Sequence, residues 1–225
     1  RSAYSWAVGD MPRRASGKWQ VVLLSGEAGI GKSRVTQVLR ERIGDEAFSH
    51  LRLQCSPYYA NSAFYPSIAQ FERFAKFPRD ATPDEKLERM EEMLSVGHDD
   101  LAQVAPLYAA LLSIDTGDRY APLNMSPQRQ KEKTIEAIAE QTAGIARHGP
   151  VVVIFEDAHW ADPTTLEVLE AVIGRIENAA VLLVITYRFE FDPPWAARPH
   201  HPTGAQPPRQ TPMRRHGGQS NGRQG

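Results

Sequence analysis

The sequence predicts an α/β protein built on a mostly parallel sheet, and three observations carry that prediction. Short apolar runs alternate with segments of helical period, the pattern of strand–helix–strand crossovers. Two runs, residues 151–155 (VVVIF) and 179–186 (AAVLLVIT), are continuously apolar and rich in β-branched residues, as strands buried on both faces are. The first run, residues 20–24 (QVVLL), leads directly into a glycine-rich loop that no strand can continue.

The elements follow in order. Residues 1–19 show no clear period and read as a lead segment. After the strand at 20–24 and its loop, Val35, Val38, Leu39 and Ile43 mark one helix face, with Gly44 in the position that follows a helix end. The second strand is residues 49–55, where Leu51 and Leu53 alternate with Arg52 and Gln54. Residues 56–66 read as a loop and 66–77 as a helix. Thr82-Pro83-Asp84-Glu85 is a helix start with a threonine cap, proline in the first turn and glutamate three residues on; Leu87, Met90 and Leu94 form its stripe. Residues 99–112 read as a further helix. Ser126-Pro127 opens another, with Ile135, Ile138, Thr142 and Ile145 on one side and a stop at Gly149-Pro150. The third strand is 151–155. Asp162-Pro163 starts a helix carrying Leu166, Leu169 and Ile173, and the fourth strand is 179–186. A long helical insert thus separates the second and third strands, and no internal repeat is present.

Composition narrows the classes. A chain of 225 residues can bury a real core. The single cysteine, Cys55, excludes an internal disulfide framework and a cysteine-based structural zinc site. No apolar run approaches a membrane span, and the first residues lack a signal-peptide apolar region, so the reading is cytoplasmic with no membrane partner. The chain begins with Arg1 rather than Met, which allows that it is a fragment. The net charge of −1 conceals an asymmetry. Residues 193–225 hold five Arg, seven Pro and five Gly, with no acid and no Leu, Ile, Val or Phe. Residues 1–192 therefore carry 21 basic against 27 acidic side chains. Such a tail buries too little apolar surface to offset its ordering entropy and is expected to be disordered. The expected division is a lead segment 1–19, a folded domain 20–192 and a basic tail 193–225. The tail almost lacks aromatic rings for base stacking, which argues against a nucleic-acid partner.

The chemistry lies in three places. Gly26-Glu27-Ala28-Gly29-Ile30-Gly31-Lys32-Ser33 fits the phosphate loop GxxxxGK[ST] at every defined position, between a strand and a helix. Its glycines let successive N–H groups point into one concavity at the positive end of a helix. Lys32 reaches the β- and γ-phosphates, and the Ser33 hydroxyl ligates Mg²⁺. Second, the strand at 151–155 delivers Glu156 and Asp157, as in a Walker B segment. One carboxylate holds the metal and the other polarises the attacking water. Position favours Glu156 for the metal and Asp157 as base, and the reverse order remains open. Third, Thr186 and Arg188 end the fourth strand, where a polar group faces the nucleotide crevice and can sense the γ-phosphate; the alternative for Arg188 is an ordinary surface position. His159 reads as a local hydrogen-bonding residue and Asp162 as a helix cap.

GEAGIGKSR, RLQCSPYYANSAFYPSI, VVVIFEDAHWADPTTLEVL and VLLVITYRFEFDPPW together resemble the AAA-type (origin-recognition-complex-like) ATPase domain of bacterial STAND regulators. The likeness is strongest to the version placed behind a class III adenylate/guanylate cyclase domain and ahead of TPR-like repeats, and it covers about residues 20–195. It implies a three-layer P-loop NTPase fold and an ATP-operated, slowly hydrolysing signalling switch that uses Mg²⁺. Its partners would be ATP or ADP and either flanking regulatory domains or a second copy of itself. It places Lys32, Ser33, Glu156 and Asp157 at the nucleotide and Arg188 in a sensor position. A non-hydrolysing nucleotide-binding module is the alternative; a small-molecule kinase stands behind it, because no arginine-rich lid is visible. The resemblance also implies a further strand and a lid beyond Trp195, where this chain has the basic tail. Residues 206–209 (QPPR), read one nucleotide later, permit Asn-Arg-Leu-Gly, so the tail is either an out-of-frame product or a linker. A broken frame would leave the strand at 20–24 as an exposed sheet edge.

Overall fold

Strand β3 (Val151–Glu156) is buried at all six positions, so both faces of the sheet are covered there. The computed structural model describes residues 20–43 and 48–195. Within them β1 (Gln20–Ser25), β2 (Ser49–Gln54), β3 and β4 (Val181–Tyr187) form one parallel sheet in the order β1-β4-β3-β2. Helix α1 (Lys32–Ile43) links β1 to β2. The insert before β3 is α2 (Tyr65–Ala75), α3 (Pro83–Ser95), α4 (Leu101–Leu111) and α5 (Pro127–Ile145); α6 (Pro163–Arg175) links β3 to β4. The predicted α/β class and parallel sheet are the observed ones.

Strand alternation divides the core in two. Val153 and Phe155 of β3, Leu183 and Ile185 of β4, and Leu51 and Leu53 of β2 share one face and pack into the main cluster, with Leu87, Met90, Tyr108, Ile138 and Leu169 from the helices. The opposite face carries Val152, Ile154 and Glu156 of β3, Val184 and Thr186 of β4, and Arg52 of β2. Thr36 of α1 reaches this second face at Glu156.

Local chemistry sets the helix ends. Thr82 and Glu85 form a reciprocal capping box on α3, with Glu85 N–H to Thr82 Oγ1 at 3.3 Å and Thr82 N–H to Glu85 Oε2 at 2.8 Å. Those bonds hold the Glu85 carboxyl below the usual carboxylate range. Ser126 accepts from Arg129 N–H on α5, and Asp162 accepts from Thr164 and Thr165 N–H on α6. Helix α2 ends at Ala75, two residues before the expected 77. Lys76 turns left-handed (φ 49°), and Phe77 precedes a proline that disfavours helical geometry. Helix α4 contains Pro106, whose missing N–H leaves the preceding turn one bond short. Strand β4 starts at Val181 rather than 179, because Ala179 closes the short turn after α6 by donating to Ile176 O.

Two expectations meet the limits of the described residues. Trp195 is 2% exposed and packs with the main cluster, so packed structure runs past the boundary expected at 193. The lead segment 1–19, Gly44 and residues 196–225 lie outside the described residues.

Candidate functional site

The strand order places the C-terminal ends of β1, β4 and β3 side by side, which brings the three predicted chemical segments together. Tyr187 O at the end of β4 accepts from Gly26 N–H at 3.3 Å, joining the root of the glycine-rich loop to the sheet. Gly29 (φ 76°) and Gly31 (φ 101°) are left-handed, a conformation that a side chain would strain. Gly31 O then accepts from Arg34 and Val35 N–H at 3.0 and 3.1 Å and starts α1. Glu27, Ala28 and Gly29 form the exposed crest of the loop, and Ile30 leans back to within 3.0 Å of a Cβ built on Gly26.

Lys32 is buried at the head of α1, 9% exposed. Its Nζ donates to Gly26 O at 2.7 Å and to Glu27 O at 2.8 Å. An ammonium has three donors, so these bonds fix its position and leave one donor over. Ser33, the next residue, is exposed.

Glu156 ends β3 and is 5% exposed. Its Oε1 lies 3.0 Å from Thr36 Oγ1, which is also 3.0 Å from Ser33 O; the hydroxyl's single proton serves one acceptor at a time, and the charged one holds it better. Oε2 accepts from Arg52, with both Nε and Nη2 at 2.6 Å. Ser33 and Glu156 line one cavity of about 250 Å³, with Arg40 and Arg52 in its wall.

Asp157 is left-handed (φ 59°), a conformation aspartate tolerates, and the chain turns sharply there into the 158–160 turn. Its N–H donates to Thr186 Oγ1 at 3.0 Å, so β3 and β4 are tied at the site; Thr186 is 2% exposed. Arg188 lies with its guanidinium carbon 5.3 Å from the centroid of the Trp160 ring, a cation–π contact. His159 lies two residues beyond Asp157, and both its ring nitrogens are buried without a hydrogen-bond partner among the described residues, unlike the local hydrogen-bonding role expected for it. Burial pushes its pKa down, against the pull of the Asp157 charge.

The residues named from sequence, the glycine-rich loop, Glu156, Asp157, Thr186 and Arg188, lie at the neighbouring ends of β1, β3 and β4. Sequence reasoning missed Arg52, Thr36 and Trp160 as their partners. From sequence Arg52 is only a polar residue alternating with Leu51 and Leu53 in the second strand. The register Gln54↔Glu156 makes it the acid's neighbour, and only the pairing of β2 with β3 reveals that.

The donor set fits a small hard cation. A hydroxyl and a carboxylate share one cavity, and Mg²⁺ is typically held by few protein oxygens with water and phosphate oxygens completing its shell. Among the described residues no cluster of three His, Cys, Asp or Glu could hold a metal alone. A larger cavity, about 380 Å³, lies elsewhere, between β2 and the helices of the insert, with mainly apolar walls. No helix among the described residues is long and apolar enough to cross a membrane.

An uncharacterized protein of Rhizobium meliloti (strain 1021) is 32% identical over 192 residues, which are 82% of this chain and 18% of that protein. The chain thus spans about a fifth of the length of the curated relative that it matches. No solved structure matches it. The family described as AAA ATPase domain matches residues 10–185, most of the sequence, including the glycine-rich loop and the Glu156–Asp157 pair; Thr186 and Arg188 lie just beyond the match. The chain belongs to the AAA ATPase domain family.

Proposed function

We propose that this chain is a Mg²⁺-ATP-binding and slowly hydrolysing switch domain of a larger bacterial signalling regulator. The observation that carries the reading is a formed phosphate loop, with Lys32 buried at its root, whose Ser33 shares a cavity with the Glu156 carboxylate. Backbone N–H groups of residues 26–33 at the start of α1 would cradle the phosphates. Lys32 would turn its ammonium from the Gly26 and Glu27 carbonyls toward the β- and γ-phosphates. Ser33 and Glu156 would hold Mg²⁺, which would supply charge neutralisation for the phosphates. Asp157, held beside Thr186 at the strand ends, would accept a proton from the attacking water. Thr186 and Arg188 would sense the γ-phosphate, with Trp160 bracing the guanidinium. The shared cavity favours Glu156 over Asp157 as the metal ligand. The multidomain, cyclase-linked setting draws on the sequence resemblance and on the relative's greater length.

ATP affinity and turnover of the parent, Lys32→Ala and Asp157→Asn test the reading. Lys32→Ala is expected to weaken binding by roughly ten- to a hundredfold, the worth of a charge-assisted bond. Asp157→Asn is expected to retain binding and lose turnover by about a hundredfold or more. Equal affinity in the parent and Lys32→Ala removes the phosphate-loop reading. Binding without turnover in the parent favours the non-hydrolysing module.

A further inference from the structure

Arg52 has no place in the chemistry described so far, although it makes the shortest ion pair at the site. It stands on β2, one strand beyond β3, on the sheet face that carries Ile154 and Glu156. Its Nε and Nη2 both lie 2.6 Å from a single oxygen, Glu156 Oε2. The carboxylate side chain is 6% exposed and the arginine 45%. A buried carboxylate needs a cationic partner, and Arg52 supplies one. The strand backbone at residue 52 is tied to α2, since Arg73 Nη1 donates to Arg52 O at 3.1 Å and to Gln70 Oε1 at 2.8 Å.

We infer that Arg52 is a built-in counter-ion that competes with a divalent cation for Glu156, and so sets the concentration of Mg²⁺ at which the site takes up nucleotide. The inference rests on the nucleotide-site reading proposed above. Its physical basis is that one carboxylate charge is shared. A cation arriving at Glu156 from the Ser33 side meets a carboxylate already neutralised by Arg52, and meets the guanidinium charge itself across a small cavity. The second oxygen is engaged by Thr36, so the acid cannot turn to present an unencumbered face without losing that bond. Arg40 also lines the cavity and adds positive charge, but no bond joins it to Glu156. Arg52 is thus a positioning and tuning residue, acting through Glu156 on the metal.

The test is equilibrium binding of a fluorescent ATP analogue to the full chain, in EDTA and across a Mg²⁺ titration. The variants are Arg52→Gln, Arg52→Lys, Arg40→Gln and Glu156→Gln, with circular dichroism melts to confirm folding. Arg52→Gln is expected to lower the Mg²⁺ concentration for half-saturation about fivefold, the effect of one partly exposed charge pair, with affinity in EDTA unchanged. Arg52→Lys is expected to fall between the parent and Arg52→Gln, and Arg40→Gln to shift the midpoint less than Arg52→Gln. In a Glu156→Gln background, Arg52→Gln should no longer move the midpoint. An unchanged or raised midpoint in Arg52→Gln overturns the inference, as does an equal shift from Arg40→Gln. If Arg52→Gln does not fold, Arg52→Lys decides by the same sign. Analogue binding that ignores Lys32→Ala marks failure of the nucleotide reading; Lys32-dependent binding with no Arg52 effect marks failure of this inference alone.

Discussion

At the scale of single residues, a side chain's role here is set by partners far away in the chain. Glu156 follows an apolar strand, and that much is local. Its two oxygens are held by Thr36, 120 residues earlier, and Arg52, 104 residues earlier. Arg188 is likewise an ordinary strand-end arginine until Trp160 lies under its guanidinium. Cys55 shows the same dependence. It is 3% exposed, and burial, aided by the negative charges of Asp162 and Asp157, pushes its thiol up to about 12. A thiol with that pKa is almost wholly protonated at pH 8, and the thiolate is the reactive form. Folded protein at pH 8 should therefore react with a thiol reagent at least about tenfold more slowly than guanidinium-unfolded protein. Equal rates would show that Cys55 is accessible.

At the scale of elements, capping chemistry places the helices and close contact decides how they meet. The caps Thr82, Ser126 and Asp162 occupy the observed N-cap positions because each signal is contained within three residues. Gly144 is different. It sits in the last turns of α5, where alanine would favour the helix by about 1 kcal/mol. A Cβ built there meets Gly97 O at 2.0 Å, and that obstacle is backbone rather than a flexible side chain. The clash wins, because neither α5 nor the loop after α3 can move without disturbing Gln141, which donates to Met93 O, and Arg147, which donates to Gly97 O. Gly144→Ala is expected to lower stability by about 1–3 kcal/mol, read as the denaturation midpoint. A stabilised Gly144→Ala would show that propensity prevails. Glycine at this position carried no local signal, since the surface that excludes a side chain lies 47 residues away in sequence.

At the scale of the molecule, sheet order decides which strand ends meet at the site and which strands, β1 and β2, lie at the edges among the described residues. With β4 inserted between β1 and β3, the phosphate loop, Thr186 and the two acids emerge at neighbouring strand ends. The same order leaves β1 paired on one side only among the described residues, and its Leu23 is 37% exposed. Gly26 N–H faces β4, and strand alternation therefore turns the Leu23 backbone toward the open edge. An apolar, unpaired edge invites pairing with another chain. Leu23→Lys is expected to reduce concentration-dependent light scattering on warming while changing stability by less than about 1 kcal/mol. Unchanged scattering would show that β1 is not the site of association. The sequence by itself determined the α/β class, the order of strands and helices along the chain, the caps and the place of the glycine-rich loop between β1 and α1. Each of those follows from periodicity or from residues within one turn of each other. Only the tertiary structure decided that Glu156 is shared between Thr36 and Arg52, that Gly144 admits no side chain and that Trp195 belongs to the core. These depend on which strands lie side by side, and parallel pairing across long crossovers leaves no mark in local sequence.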